Sequence, residues 1–179
     1  MKTDAFPGPA FGAIGNQHNT RRSDMRRLLG LLLTTAAFAL AADQVPFVAI
    51  FTSDVPGGPL PTCDTGQIPL ASVGTGHATH LGLFTGTQSQ CVDPATGAFS
   101  SGHFTLTGAN GDTISGTHSG QLVMTSPTTA TINGVFVITG GTGRFSGATG
   151  GGVATGTLDL VTQEANDFVM RGTISRPNH

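Results

Sequence analysis

Eleven residues, Gly140-Gly141-Thr142-Gly143-Arg144-Phe145-Ser146-Gly147-Ala148-Thr149-Gly150, restrict this chain more than any other segment. They follow a strand-like apolar run, Val135 to Ile138, and precede a second strand-like segment that begins near Val153. Five glycines in eleven residues demand positive φ or very close packing, and a single aromatic, Phe145, is inserted as the anchor. The stretch reads as a structural corner carried by Gly140, Gly141, Gly143, Phe145 and Gly147. A phosphate-binding reading fails, because Gly141, Gly143 and Gly147 miss the dinucleotide spacing by one residue and strand-like residues follow, with no helix N-terminus for a pyrophosphate. A P-loop needs Gly-Lys-Ser/Thr, and the chain's single lysine is Lys2.

The N-terminal part has a different character. Residues 1–24 contain Pro, Gly and Asn without apolar periodicity and read as a disordered extension or as sequence ahead of the true start at Met25. From Met25 the order is basic (Arg26, Arg27), then uncharged and apolar (Leu28 to Leu40), then Ala39-Leu40-Ala41, which is the plan of a cleaved secretory signal over residues 25–41. About thirteen residues are too few to span a bilayer, which takes roughly twenty, so no membrane span is expected after cleavage. Two arginine pairs invite a twin-arginine reading, but Asp24 stands where that signal wants an apolar residue.

Export removes most of the positive charge. Five of the eight basic residues precede the cleavage site, leaving Arg144, Arg171 and Arg176 against eight carboxylates, a net charge of 3 − 8 = −5 with histidine neutral. Nucleic acid binding needs clustered Lys or Arg and is excluded. A polybasic membrane footprint is missing for the same reason. The two cysteines, Cys63 and Cys91, both lie in the exported part; an even pair in an oxidising compartment most simply forms one disulfide, closing a loop of about 28 residues worth ~3 kcal/mol. A metal site would require more ligands at closer spacing, so neither metal nor cofactor is expected.

Residues 42–179 form one domain by length and hold no helix-period segment. Thr-, Ser-, Val- and Phe-rich runs alternate with turn signals: Ala78 to Gln90, Ala98 to Thr107, Thr113 to Thr125, Ala130 to Thr139, Val153 to Thr162 and Phe168 to Ser175. Strands near Val45 to Phe51 and Gln67 to Val73 bring the count to eight. Regular strands with short connections point to an all-β fold, an up-and-down antiparallel barrel or a sandwich. Period-two phasing puts Phe104 and Leu106; Ile114, His118, Leu122 and Met124; Ile132, Phe136 and Ile138; Leu158 and Leu160; and Phe168, Met170 and Ile174 on interior positions. The least alternating run, Ala130 to Thr139, is either the most buried strand or one covered on both faces by a partner subunit in a homo-oligomer.

Histidines are the only acid-base candidates within the strands. His77 and His80 are three residues apart, which on a strand sends them to opposite faces and speaks against a shared metal. His80 shares the parity of Phe84, and His118 that of Ile114 and Leu122, so these two are the candidate catalytic residues; the alternative is a lining histidine held by a backbone carbonyl or threonine. His103 has outward parity. Asp93, Asp112 and Asp167 occupy turns, where Asp bonds locally, Asp159 has outward parity, Glu164 ends a strand, and no carboxylate pair has a glycosidase-like spacing. A G-x-S-x-G elbow is absent.

The glycine stretch resembles the GGTGxFxGAxG signature of the allene oxide cyclase and dirigent proteins, over a segment from about Gly74 to Ser175. It departs from plant dirigent proteins at Thr149-Gly150-Gly151, where they usually carry Arg-Gly-Tyr. The resemblance implies an eight-stranded antiparallel up-and-down barrel that takes a small hydrophobic molecule in its lumen and, in the enzymes, steers a cyclisation or isomerisation by shape and water exclusion. The ligand-facing residues would be Phe84, Phe104, Met124, Phe136 and Met170, and their polar handle a histidine titrating near pH 6.5 or, if burial dominates, lower. The other class is a non-catalytic exported structural or adhesive β-domain, which the absence of Trp and Tyr favours. Intact mass of the exported protein, secreted or periplasmic, is expected to place its first residue at Ala42 or Asp43; a product retaining Leu28 to Leu40 would contradict the signal reading.

Overall fold

The computed structural model describes residues 43–175. The expected extension (1–24) and signal segment (25–41) lie outside the described residues. Eight strands follow in order: β1 (Gln44–Pro56), β2 (Ile68–Ala78), β3 (Gly82–Val92), β4 (Ala98–Gly108), β5 (Thr113–Ser126), β6 (Thr129–Gly141), β7 (Gly150–Asp159) and β8 (Ala165–Ser175). Each pairs antiparallel with the next, and β1 pairs with β8, so the sheet closes as an up-and-down barrel without a free edge. Closure satisfies every strand's ladder internally and is the all-β solution that the evenly spaced runs call for.

Side-chain alternation places the core in the lumen. Phe104, Leu106, Ile114, Phe136, Ile138, Leu158, Phe168, Met170 and Ile174 are buried, as their parity requires. His118, Leu122 and Ile132 are half-buried, and Met124 (55%) and Leu160 (37%) are exposed, since both sit at strand ends where no further layer covers them. Strand β6 is buried only on its inner face; Val135 (53%) and Val137 (51%) stand exposed on the outer one. The expected run from Ala78 to Gln90 is also broken, by a turn over residues 79–81 with His80 at φ 66° and Gly82 at φ 82°.

Large rings fit the narrow lumen because glycines face them. A Cβ on Gly76 would come within 2.6 Å of the Phe84 ring, and one on Gly102 within 2.6 Å of the His118 imidazole. Phe51 makes edge contacts with both Phe84 and Phe168 at 5.0 Å between ring centroids.

One end of the barrel is sealed by the glycine corner. Between β6 and β7 the chain makes a short 3-10 turn, Gly143–Phe145, whose Phe145 is fully buried alongside Ala148 and Leu81. Thr142 donates its N–H to the Thr113 carbonyl at 3.0 Å, and Arg144 Nε meets Asp112 Oδ2 at 2.8 Å, tying the corner to the β4–β5 turn. Gly143 and Gly147 have φ of 58° and 72°. They differ in their surroundings: a Cβ on Gly143 would collide with Asp112 Oδ1, whereas one on Gly147 meets open space. Gly147→Val is therefore expected to cost roughly 1–3 kcal/mol through backbone strain alone, and Gly143→Val more, because it also displaces the Arg144 partner. Denaturant unfolding of both variants checks the order; equal, wild-type midpoints would mark the corner as a flexible loop.

Candidate functional site

Sealing one end leaves the other open. The mouth is framed by the loops β1–β2 (57–67), β3–β4 (93–97), β5–β6 (127–128) and β7–β8 (160–164). Behind it lies a cavity of about 460 Å³. Cys63 in the longest of these loops is disulfide-bonded to Cys91 near the end of β3, with Cα atoms 5.6 Å apart. The bond fixes a loop of the mouth onto the wall and accords with a non-cytoplasmic compartment.

Most of the cavity wall is apolar, from Phe104, Phe136, Met170, Leu122 and Ile132 to Leu158. Met124 borders it from the rim. Phe84 does not: it is buried in the packed aromatic layer against Phe51 and takes no part in the wall.

The polar groups of the wall include Asp54 on β1, Ser72 on β2, Gln88 and Gln90 on β3 and His118 on β5, with Asp93, Thr96 and Gln163 contributed by the mouth loops. In β1 the inward positions Phe47, Ala49 and Phe51 have odd numbers, then a register shift between Phe51 and Ser53 turns the even-numbered Asp54 inward. Asp54 is 3% exposed. Its Oδ2 accepts a hydrogen bond from Gln88 Nε2 at 2.5 Å, whereas the buried Oδ1 has no partner. Burial pushes its carboxyl up to about 6, against hydrogen bonds with Ser72 and Gln88 that hold it down. Two residues further along β3, Gln90 Oε1 lies 2.7 Å from His118 Nε2, which places the imidazole proton on Nε2. The pair reaches across β4 over Gly102, where any side chain would occupy the space of the imidazole. Burial, with a smaller effect of His103, lowers His118 to about 4, so the ring is neutral at physiological pH.

The two candidate histidines thus separate. His118 lies in the cavity wall between Phe99 and Phe104, with ring centroids 6.0 and 6.3 Å away. His80 does not face the lumen; it is exposed in the β2–β3 turn at the sealed end, with Nε2 3.1 Å from the Pro46 carbonyl oxygen. Its parity with Phe84 has no meaning across the turn. Gln88 and Gln90 share the inward parity of Phe84 and were open to the same phasing argument that selected His118. Asp54 carries no such signal, because the bulge that turns it inward reverses the parity of its strand.

Asp54 and His118 give the pH dependence of stability two opposed components. Keeping His118 neutral contributes stability that is full above pH 6.5 and falls away as the pH drops towards 4, about 3 kcal/mol in all. The raised carboxyl of Asp54 does the reverse: its contribution is present below pH 3.8 and is lost as the pH rises through 6, again about 3 kcal/mol. The two nearly cancel between pH 6 and 4. Asp54→Asn is expected to be more stable than wild type at pH 8 by about 1–3 kcal/mol and to lose stability more steeply on acidification. Denaturant titrations at pH 8, 6 and 4 check this; parallel curves for the two proteins would mean that Asp54 is not perturbed by burial.

No family model, curated protein or solved structure matches this chain. The closed eight-stranded barrel is the architecture that the allene oxide cyclase and dirigent resemblance implies, but the architecture alone does not identify a family.

Proposed function

We propose that the barrel is an exported receptor for a small, mainly apolar molecule, which enters through the mouth and lies in the lumen with its polar group against the Asp54–Gln88 and His118–Gln90 side of the wall. The observation that carries this reading is the cavity itself: about 460 Å³, within the range of ligand pockets, apolar over most of its wall and furnished with a few buried polar groups. A domain with a purely structural or adhesive role has no use for an empty lumen, because a void of this size forgoes the packing that filling it would supply.

The resemblance to allene oxide cyclases and dirigent proteins adds an isomerase or cyclase version of the same reading. Catalysis of that kind asks little of side chains. A compact fold is imposed on a reactive ligand while water is excluded, and a neutral imidazole such as His118 can accept a proton at Nδ1 while Nε2 is engaged with Gln90. No step needs a cofactor or metal.

Titration with the uncharged fluorophore N-phenyl-1-naphthylamine is expected to give saturable, one-to-one enhancement with folded protein. Leu122→Trp, which places a larger side chain in the cavity wall near the mouth, should weaken binding at least tenfold while unfolding remains cooperative. Failure of the folded wild type to bind the dye, or undiminished binding by Leu122→Trp, would remove the lumen reading and favour the structural domain.

A further inference from the structure

The mouth of the barrel is acidic. The mouth loops and adjoining strand ends carry Asp64, Asp93, Asp159, Glu164 and Asp167, and among the described residues no Lys, Arg or His shares that end. At the sealed end Arg144 is ion-paired with Asp112, His80 lies in the β2–β3 turn and Asp43 precedes β1. In the wall of the same cavity Asp54, 3% exposed, holds a carboxylate whose buried Oδ1 has no hydrogen-bond partner and to which the wall supplies no cation. A buried carboxylate without a counter-charge is costly, and a bound cation offsets that cost. An acidic, cation-free entrance raises the local concentration of cations and excludes anions.

The geometry points to an apolar ammonium compound, a compact hydrocarbon body bearing one protonated amine, as the ligand class of the lumen, with the amine paired to the Asp54 carboxylate and the hydrocarbon against Phe104, Phe136 and Met170. This rests on the lumen-binding reading and specifies what it binds. Apolar acids such as fatty acids are excluded by the same charges.

Protonation of Asp54 releases the ligand. The groups that face Asp54 from neighbouring strands are Ser72 and Gln88, and Phe168 and Met170 on β8 are apolar. The other titratable residues of the wall are His118, which burial keeps neutral down to about pH 4, and Asp93, whose carboxyl is held below the usual range by the backbone N–H of Ala95. Between pH 8 and 5 the change inside the cavity is therefore that of Asp54, which titrates at about 6, while an alkylamine with a pKa near ~10 stays charged.

Three adamantane derivatives of equal bulk separate the possibilities: 1-(aminomethyl)adamantane, 1-adamantanemethanol and 1-adamantanecarboxylate, each displacing N-phenyl-1-naphthylamine from the full folded protein. At pH 8 the amine is expected to displace the dye at concentrations at least tenfold below the alcohol, and the carboxylate to be the weakest. The preference should shrink to threefold or less at pH 5, and also at pH 8 in Asp54→Asn, with the alcohol little changed in both. The pH 5 arm uses the wild type and stands even if the variant folds poorly. Equal displacement by amine and alcohol at pH 8 overturns the inference and leaves the lumen reading intact. A preference that survives both pH 5 and Asp54→Asn assigns it to the rim carboxylates and overturns the role of Asp54. Absence of any dye binding removes the lumen reading and this inference with it.

Discussion

The aromatic layer inside the barrel is the contact on which the rest of the structure depends. Eight strands enclose an interior just wide enough for side chains, so a ring can enter only where a facing residue gives way. Here glycines give way: Gly76 beneath Phe84, Gly102 beside His118, Gly116 against Phe104 at 2.8 Å from a would-be Cβ. The rings then meet one another, Phe51 with Phe84 and Phe168, and Phe136 with Phe47 and Phe104 at 6.0 and 6.2 Å. Together with the Phe145 plug they fill the sealed end. Nearer the mouth small inward residues such as Ser72 and Ala130 stand beside Leu70, Phe99 and Leu122, and together they surround the cavity.

The stretches that could be read from sequence were those where local chemistry and global position coincide. Thr113 to Thr125 alternates throughout in sequence and Ala98 to Thr107 from Gly102 onward, and both become strands within a residue or two of the expected ends. The glycine corner was legible because positive φ at Gly143 and Gly147 has few other solutions. The disulfide followed from there being two cysteines and an oxidising destination. Phasing failed where the period was broken. The β2–β3 turn interrupts the run that gave His80 its parity, and the outer face of β6 presents valines that no alternation rule forbids.

The carboxylate of the site was hidden by an irregularity that leaves no mark in residue type. A bulge between Phe51 and Ser53 brings Asp54 inward, and another between Phe99 and Gly102, with Ser101 at φ 52°, lies beside the gap through which Gln90 reaches His118. Bulges re-aim side chains at barrel rims and sites. Each of these two serves one polar residue of the cavity. A strand of unbroken period would have buried Ser53 or Val55 in place of Asp54, and the only carboxylate of the cavity wall would be Asp93 in a mouth loop.

The energetics of those two residues argue for a role beyond packing. Asp54 and His118 are each held by burial away from their ordinary titration, one upward and one downward, and each has a single glutamine as its close hydrogen-bonding side chain on β3. Replacing both by apolar residues of like volume would relieve both desolvation penalties at the cost of the contacts with Gln88, Ser72 and Gln90, so burial of these two groups is not what holds the barrel together. Nor does specificity of folding explain them, because strand register is already set by the alternating core and by closure of β1 on β8. What they do supply is a difference between the two sides of an otherwise uniform apolar lumen: an anionic oxygen without a partner on β1, and a neutral imidazole on β5. A cavity that has such sidedness can orient a molecule as well as hold it, and orientation is what both a selective receptor and a cyclase of the allene oxide or dirigent type require.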